Sequence, residues 1–521
     1  MPAKAEAGKA AKKARPVKAK RAAAPSVAPL PVPSGPPLQL LSVASEVFPL
    51  VKTGGLADVV GALPAALAEE GVQALTFVPG YPAVMEALED GETVADLDPI
   101  LGGEARVLRG RAAGLDLAVL DAPSLFARPG GPYSMPGGGE WSDNGVRFGT
   151  LCRAAALVAR GAIDGYRPDV VHCHDWQAGL TPAYLHFSPD PAPPSVATIH
   201  NIAFQGQMPP DILGELGLPP EAYSIEGVEY YGSVGYLKSA VRLADRVTTV
   251  SPTYAREIRS SEFGMGLEGL IAARGADVSG ILNGIDLSVW NPETDPSLAA
   301  RFSRTTLGRR SANKPALLSR LGLDPDSNRP LFGVVSRLTW QKGIDLLVEA
   351  LGTLLGQDAD LVVLGSGEPA LESALSAAAS RHPDRIGVQL GYDEALAHLI
   401  QAGADALLIP SRFEPCGLTQ LCALRYGAIP VAARVGGLSD TIVDTNEMAR
   451  RAGVGTGVLF SPVGREPFEQ ALVRTCELYR SPATWRRMQT NALRTDVGWA
   501  GPARTYADLF RQLATPAVTQ A

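Results

Sequence analysis

From Leu38 onward, short runs of near-continuous apolar residues alternate with glycine-containing turns and helix-like stretches. Runs at 38–44, 75–79, 115–121, 169–173, 195–199 and 246–250 read as strands. A second series follows at 330–336, 360–365, 386–390, 405–410, 429–433 and 457–460. These runs are solidly apolar instead of alternating, the pattern of parallel strands covered by helices on both faces. Between the two series, 287–329 is polar, contains Pro and Asp, and reads as a join. Strand, turn and helix repeated in two blocks predict an α/β fold of two Rossmann-like, doubly wound parallel-sheet domains. In such sheets ligands bind beyond the carboxyl ends of the strands.

Length and composition fit this picture. A chain of 521 residues is too long for one ordinary domain. With 46% hydrophobic and 19% charged residues it has the composition of a soluble globular protein. No apolar run approaches the roughly 20 residues that span a bilayer. Five cysteines (Cys152, Cys173, Cys416, Cys422, Cys476), odd in number and without metal-ligand spacing, point to a reducing cytoplasm. Residues 1–24 carry eight basic side chains and one acid, so the net charge of −7 divides into a tail of +7 and a body of −14. An acidic body argues against nucleic acid as the main partner. The segment 1–37 is rich in Ala, Lys and Pro and reads as a disordered, solvated tail. It lacks the apolar run of a secretory signal; a polyanion-binding tail and a transit peptide are its functional alternatives.

The polar residues with chemical potential cluster after the predicted strands. One string occurs twice: "KTGGLADVV" at 52–60 and "RVGGLSDTI" at 434–442. Paired glycines let a backbone turn tightly and bring its N–H groups near a ligand. A helix starting just beyond offers a positive dipole end to an anion. One such turn in each half predicts a phosphorylated ligand gripped in a cleft between domains.

Other strand ends carry His174-Asp175-Trp176-Gln177, His200-Asn201, Arg337 with Lys342, and Ser411 through Thr419. Arg337 and Lys342 flank a short loop before a predicted helix, so a fork and a point charge can reach one diphosphate. Glu414 precedes Gly417-Leu418-Thr419, another helix start. It suits sugar hydroxyls or positive charge at an anomeric carbon, or it caps the helix. His172 and His174 share a strand face, yet no third and fourth ligand accompanies them, so no metal site is expected. Cys416 and Cys422 have no evident base. No GxxxxGK[ST] loop, GxSxG elbow or HExxH helix is present.

The strings "SEVFPLVKTGGLADVVGALPAAL", "HCHDWQAGLTPAYL", "TIHNIAFQG", "ILNGIDLSVWNPETD", "VVSRLTWQKGIDLL" and "SRFEPCGLTQLCALRYGAIPVAARVGGLSDTI" run in order from Ser45 to Ile442. Together they resemble the glycogen synthase and starch synthase family of glucosyltransferases. The resemblance implies a GT-B fold, two Rossmann-like domains facing a deep cleft. It implies division into an N-terminal, acceptor-side domain (38–285), a C-terminal, donor-side domain (286–497) and a last helix returning to the first domain (498–521). The implied reaction moves glucose from ADP-glucose to the non-reducing end of an α-1,4-glucan, with retention and without a metal or other cofactor. The implied partners are those two substrates, with no nucleic acid or membrane, in the cytoplasm.

Residue by residue, the resemblance places Lys52 and Gly55 at the donor phosphates and makes Arg337 and Lys342 the main diphosphate clamp. Glu414 becomes the key acid near the transferred glucose. Gly417, Leu418 and Thr419 present backbone donors to phosphate. His200 stands beside the reacting bond, Asp175 contributes to sugar binding, and Tyr392 flanks or stacks on the adenine. The loop from Tyr133 to Phe148, with Trp141, Asn144 and Arg147, resembles an acceptor-side loop. One departure is Cys422, where the wider superfamily has a second Glu. A two-carboxylate glycosidase scheme needs a nucleophile there, so front-face displacement is the expected mechanism. UDP-glucose as donor, a short acceptor, and a non-catalytic glucan-binding protein on the same fold are the competing readings.

Overall fold

The computed structural model describes residues 35–101 and 103–515. The predicted tail therefore falls almost wholly outside the described residues. In chain order the first strands are β1 (Leu38–Val43), β2 (Val72–Pro79), β3 (Glu89–Ile100), β4 (Gly103–Ala112), β5 (Leu115–Asp121), β6 (Val170–His174) and β7 (Ser195–Ile199). Then come β8 (Gln207–Met208), β9 (Glu229–Tyr230), β10 (Ser233–Gly235), β11 (Arg246–Thr249) and β12 (Val278–Gly280). The later strands are β13 (Leu331–Val335), β14 (Asp360–Gly365), β15 (Ile386–Leu390), β16 (Ala406–Ile409), β17 (Ile429–Ala433) and β18 (Val458–Phe460). All twelve predicted runs are strands.

The first sheet has the order β12-β11-β7-β6-β1-β2-β5-β4-β3, and the second β15-β14-β13-β16-β17-β18. The second is parallel throughout. The first is parallel except at one edge, where β3 and β4 run antiparallel. Strands β8, β10 and β9 form a separate small sheet. Strands β1, β6, β7, β13, β14, β16 and β17 are almost wholly buried, as their solid apolar runs require.

Strand order reverses between β1 and β6 in the first sheet and between β13 and β16 in the second. At a reversal the connecting helices leave on opposite faces and open a crevice. The loops after these four strands, and after β7, are where the distinctive polar residues lie.

The last helix, Ala500–Ala514, buries Ala503, Tyr506, Ala507 and Phe510, an i, i+3, i+4, i+7 stripe. That stripe packs with Leu40 and Val170 of the first sheet and with Val59 and Leu63 of the helix Gly55–Glu69. No helix among the described residues is long and apolar enough to cross a membrane.

Candidate active site

The two reversal points face one cavity of about 520 Å³. It is lined from the first sheet by Glu46, Lys52, Gly54, Gly55, Asp175, His200 and others. From the second sheet it is lined by Arg337, Lys342, Glu414, Gly417, Leu418 and Thr419. The walls approach closely: a Cβ on Gly55 would lie 3.6 Å from Leu418 Cδ1.

On the first wall, Glu46 follows β1 and is 3% exposed. Its carboxylate accepts from the Thr53 amide (2.5 Å), the Thr53 hydroxyl (2.6 Å), the Gly54 amide (3.4 Å) and the Tyr133 hydroxyl (2.5 Å). One buried acid thereby fixes both the Gly-Gly turn and the start of the 133–143 loop. A buried charge is tolerated only with such a full set of donors. Lys52 pairs with Asp58 at 2.7 Å. Gly54 caps the helix Gly55–Glu69 without a side-chain acceptor.

Asp175, just past β6, sits at φ +55°. Its Oδ1 accepts from the backbone amides of His200 (2.6 Å) and Asn201 (3.3 Å), tying the end of β6 to the end of β7. Burial pushes its carboxyl up to about 7, against those two amide bonds. His200 Nε2 meets His174 Nδ1 at 2.9 Å, and His174 Nε2 meets the Ser42 hydroxyl at 3.2 Å. Burial lowers His200 to about 3, so the ring is neutral at physiological pH.

On the second wall, Glu414 is 6% exposed. It accepts from Lys342 Nζ at 2.6 Å and the Ser411 hydroxyl at 2.9 Å. Arg337 donates to Gln341 Oε1 at 3.1 Å, beside Lys342. Gly417, at φ +75°, turns the chain into the helix Thr419–Tyr426. Tyr392 is 77% exposed. It lines an adjoining recess of about 280 Å³ that shares Lys52, Asp58, Leu418 and Thr419 with the main cavity. Cys416 lines the main cavity, and burial raises its thiol to about 12, leaving it unionised.

Three expectations change. Asn144 and Arg147 are not loop residues facing an acceptor: they begin the helix Asn144–Ala159 and are 4% and 1% exposed. Arg147 donates to the carbonyls of Leu125 and Pro132 and to Asn144 Oδ1, each at 2.6–2.9 Å, and so holds the loop from behind. Trp141 lies over the Arg128 and Arg147 guanidiniums, not on the main cavity.

The second Gly-Gly turn is not in the cavity lining either. The Gly436 amide donates to Glu257 Oε1 at 2.9 Å, and the Gly437 amide to the Glu414 carbonyl at 3.1 Å. Beside it, Asp440 accepts from the Thr253 amide and hydroxyl, both at 2.7 Å. That turn joins the two halves and backs the Glu414 loop.

His172 Nε2 bonds to the Thr198 hydroxyl at 2.6 Å, inside the core. Among the described residues no group of three or more His, Cys, Asp or Glu side chains is arranged to hold a metal. In the sequence Glu46 stands out only by its place just after the first predicted strand. An acid three residues past a buried strand, ahead of the Gly-Gly turn, was the available signal.

A profile of the starch synthase catalytic domain matches residues 39–273, and one of glycosyl transferases group 1 matches 320–489. A glycogen synthase of Rhodopseudomonas palustris (strain BisA53) is 57% identical over 92% of this chain and 98% of its own. One of Methylocella silvestris is 58% identical over 91% and 99%. The chain belongs to the glycogen and starch synthase family. It is a glycosyltransferase of the GT-B fold. Among solved structures, the catalytic domain of starch synthase IV from Arabidopsis thaliana, bound to ADP and acarbose, superposes with a TM-score of 0.84. The two share 32% identity over 92% of this chain and 99% of that one. A sucrose-phosphate synthase from Thermosynechococcus elongatus shares the fold, with a TM-score of 0.54 at 19% identity.

Proposed function

We propose that the protein transfers glucose from ADP-glucose to the non-reducing end of an α-1,4-glucan with retention, releasing ADP. The observation that carries this is the convergence of Lys52, Arg337, Lys342, Glu414 and His200 on one cavity at facing reversal points. The starch synthase with ADP and acarbose bound has the same overall fold.

In this reading Arg337 and Lys342 clamp the diphosphate and Lys52 reaches it from the opposite wall. Preorganised cations stabilise the charge that grows on ADP as it leaves, and they need no reorganisation at the moment of reaction. The free amides at Gly417, Leu418 and Thr419 add donors at a helix start. Neutral His200 serves as a hydrogen-bonding group beside the sugar and not as a cation. Glu414, already paired with Lys342, offsets positive charge at the anomeric carbon. Asp175 holds the His200 backbone and borders the sugar. Tyr392 flanks the base in the adjoining recess. No second carboxylate stands opposite Glu414 at position 422, so the leaving phosphate takes the proton of the acceptor hydroxyl on the same face. The three cations supply the positive charge, and the reading calls for no metal.

The same reading divides the chain at 285/286 into acceptor and donor halves and assigns 498–521 to the return. It places the enzyme in the cytoplasm, which the five unpaired, buried cysteines support.

Initial rates of nucleoside diphosphate release with glycogen test it, comparing ADP-glucose with UDP-glucose. The expected result is a strong preference for ADP-glucose, with radiolabelled glucose entering the polymer. Turnover with UDP-glucose alone would overturn the donor and keep the clamp. Binding of glycogen without turnover of either donor would favour the non-catalytic reading.

A further inference from the structure

Strands β9 and β10 are joined by only two residues, Tyr231 and Gly232, with Tyr230 opposite Ser233. Both joining residues have positive φ, +48° and +78°. This is the two-residue hairpin geometry whose first position is ordinarily Asn, Asp or Gly. A tyrosine there carries left-handed backbone strain. Tyr231 is also 80% exposed. Neither the strain nor the exposure helps the fold.

Met265 repeats the anomaly, at φ +51° and 41% exposed. The two are neighbours: a Cβ on Gly266 would lie 2.6 Å from the Tyr230 hydroxyl and 3.8 Å from Tyr231 Cε2. The Gln205 amide donates to the Met265 carbonyl at 3.0 Å, and the Gln207 amide donates to Gln205 Oε1 at 3.0 Å. Gln205 follows Phe204, which is 52% exposed and lines the catalytic cavity. Exposed apolar side chains and side-chain amides thus run from the cavity along one rim to the hairpin tip.

Strained non-glycine backbone that persists at an exposed site concentrates at ligand clamps. Rings with exposed faces, flanked by amides and by the Glu229 and Glu268 carboxylates that accept from the Gly232 and Gly266 amides at 2.8 and 2.9 Å, match a sugar polymer, whose rings have apolar faces and hydroxyl edges that donate to such acceptors. We propose that this rim is a docking track for the glucan acceptor beyond the catalytic cavity, with Tyr231 stacking on a sugar ring. Phe204 makes the rim continuous with the cavity, so the polymer that enters one lies along the other; this rests on the glucan being the acceptor. The strain at Tyr231 is then the cost of holding a ring where a distal part of the polymer passes.

The test is Tyr231→Asn, which places a favoured residue in the turn and removes the ring. The variant should keep or raise its melting temperature. Its KM for glycogen should rise about fivefold, the scale of one aromatic contact. KM for ADP-glucose and the rate on maltose should not change. Co-sedimentation with glycogen should weaken in parallel. An unchanged glycogen KM in the folded variant would overturn the track. A changed sedimentation state with unchanged glycogen KM would overturn it too, assigning the rim to contacts between copies. Co-sedimentation requires no turnover, so a failure of the transfer reaction and a failure of the track give different results.

Discussion

The two Gly-Gly-Leu turns share a sequence and have opposite fates. At Gly54 and Gly55 the backbone is exposed and lines the cavity. At Gly436 and Gly437 it is buried, and its amides are taken by Glu257 and by the Glu414 carbonyl. Both begin helices after a strand. In the first sheet the strand before the turn, β1, borders the point of reversal; in the second sheet β17 lies one strand beyond it. A turn at the reversal opens onto the crevice, and a turn one strand away packs behind it. The lesson is that a phosphate-type turn is read by its place in the sheet, not by its letters. One copy opens its backbone onto the cavity and the other holds the loop that carries Glu414.

The largest expected contrast is between the basic residues that open the two strings. Lys52 lines the cavity, whereas Arg434 pairs with Asp444 at 3.8 Å and is absent from the lining. Lys52→Ala should lower kcat/KM by roughly 3 kcal/mol of transition-state stabilisation, the worth of one preorganised donor. Arg434→Ala should change it by less than about 1 kcal/mol, as for other surface ion pairs. Steady-state rates with ADP-glucose and glycogen measure both. Equal losses would mean that the two turns are functionally equivalent after all.

The glycines themselves give the next contrast, in stability. A Cβ on Gly437 would stand 2.2 Å from the Cys416 carbonyl oxygen and 2.5 Å from its Cα. Backbone cannot yield as a side-chain tip can, so Gly437→Ala should cost about 2–3 kcal/mol of stability. It should also displace the Glu414 loop and depress the rate. A Cβ on Gly54 meets nothing within 4 Å, and its φ of −155° suits any residue. Gly54→Ala should leave denaturant unfolding unchanged while lowering activity through a methyl in the ligand's path. A large stability loss at Gly54, or none at Gly437, would reverse the assignment of open and buttressing turns.

Much of this was legible in the sequence, for physical reasons. Solid apolar runs identify parallel strands because both faces are covered, and every run of that kind is a strand. Strands β3 and β4 were missed because they lie at an edge and mix charge with apolar residues, as in "GETVADLDPI" and "GEARVLRGRA". Strands β8, β9 and β10, of two or three residues, are too short to carry a period. At the site, the residue types and their positions after strands were readable, and the cavity gathers Lys52, Asp175, His200, Arg337, Lys342 and Glu414. Direction was not readable. Asn144 and Arg147 sit in the first turn of a helix and point to carbonyls, which no spacing reveals. The partners of Gly436 come from Glu257, 179 residues earlier, and only the folded chain brings them together.

Glu257 supplies the smallest and most specific test of the comparison. Its carboxylate occupies the amide end of the second turn, the place a ligand anion would take at the first. Burial raises its pKa above the ordinary 4.5, opposed by the Gly436 amide bond. The folded protein therefore binds this proton more tightly than the unfolded chain. Its contribution to stability is fully present below pH 4.5 and is lost as pH rises through the folded value. The slope from this group cannot exceed about 1.4 kcal/mol per pH unit, and partial exposure makes it smaller. Glu257→Gln keeps an oxygen for the Gly436 amide and removes the titration. Thermal unfolding of wild type and variant across the mildly acidic range should show the wild-type curve falling faster with rising pH above 4.5. Parallel curves would mean that the second turn does not press its carboxylate out of water. The contrast with the open first turn would then rest on geometry alone.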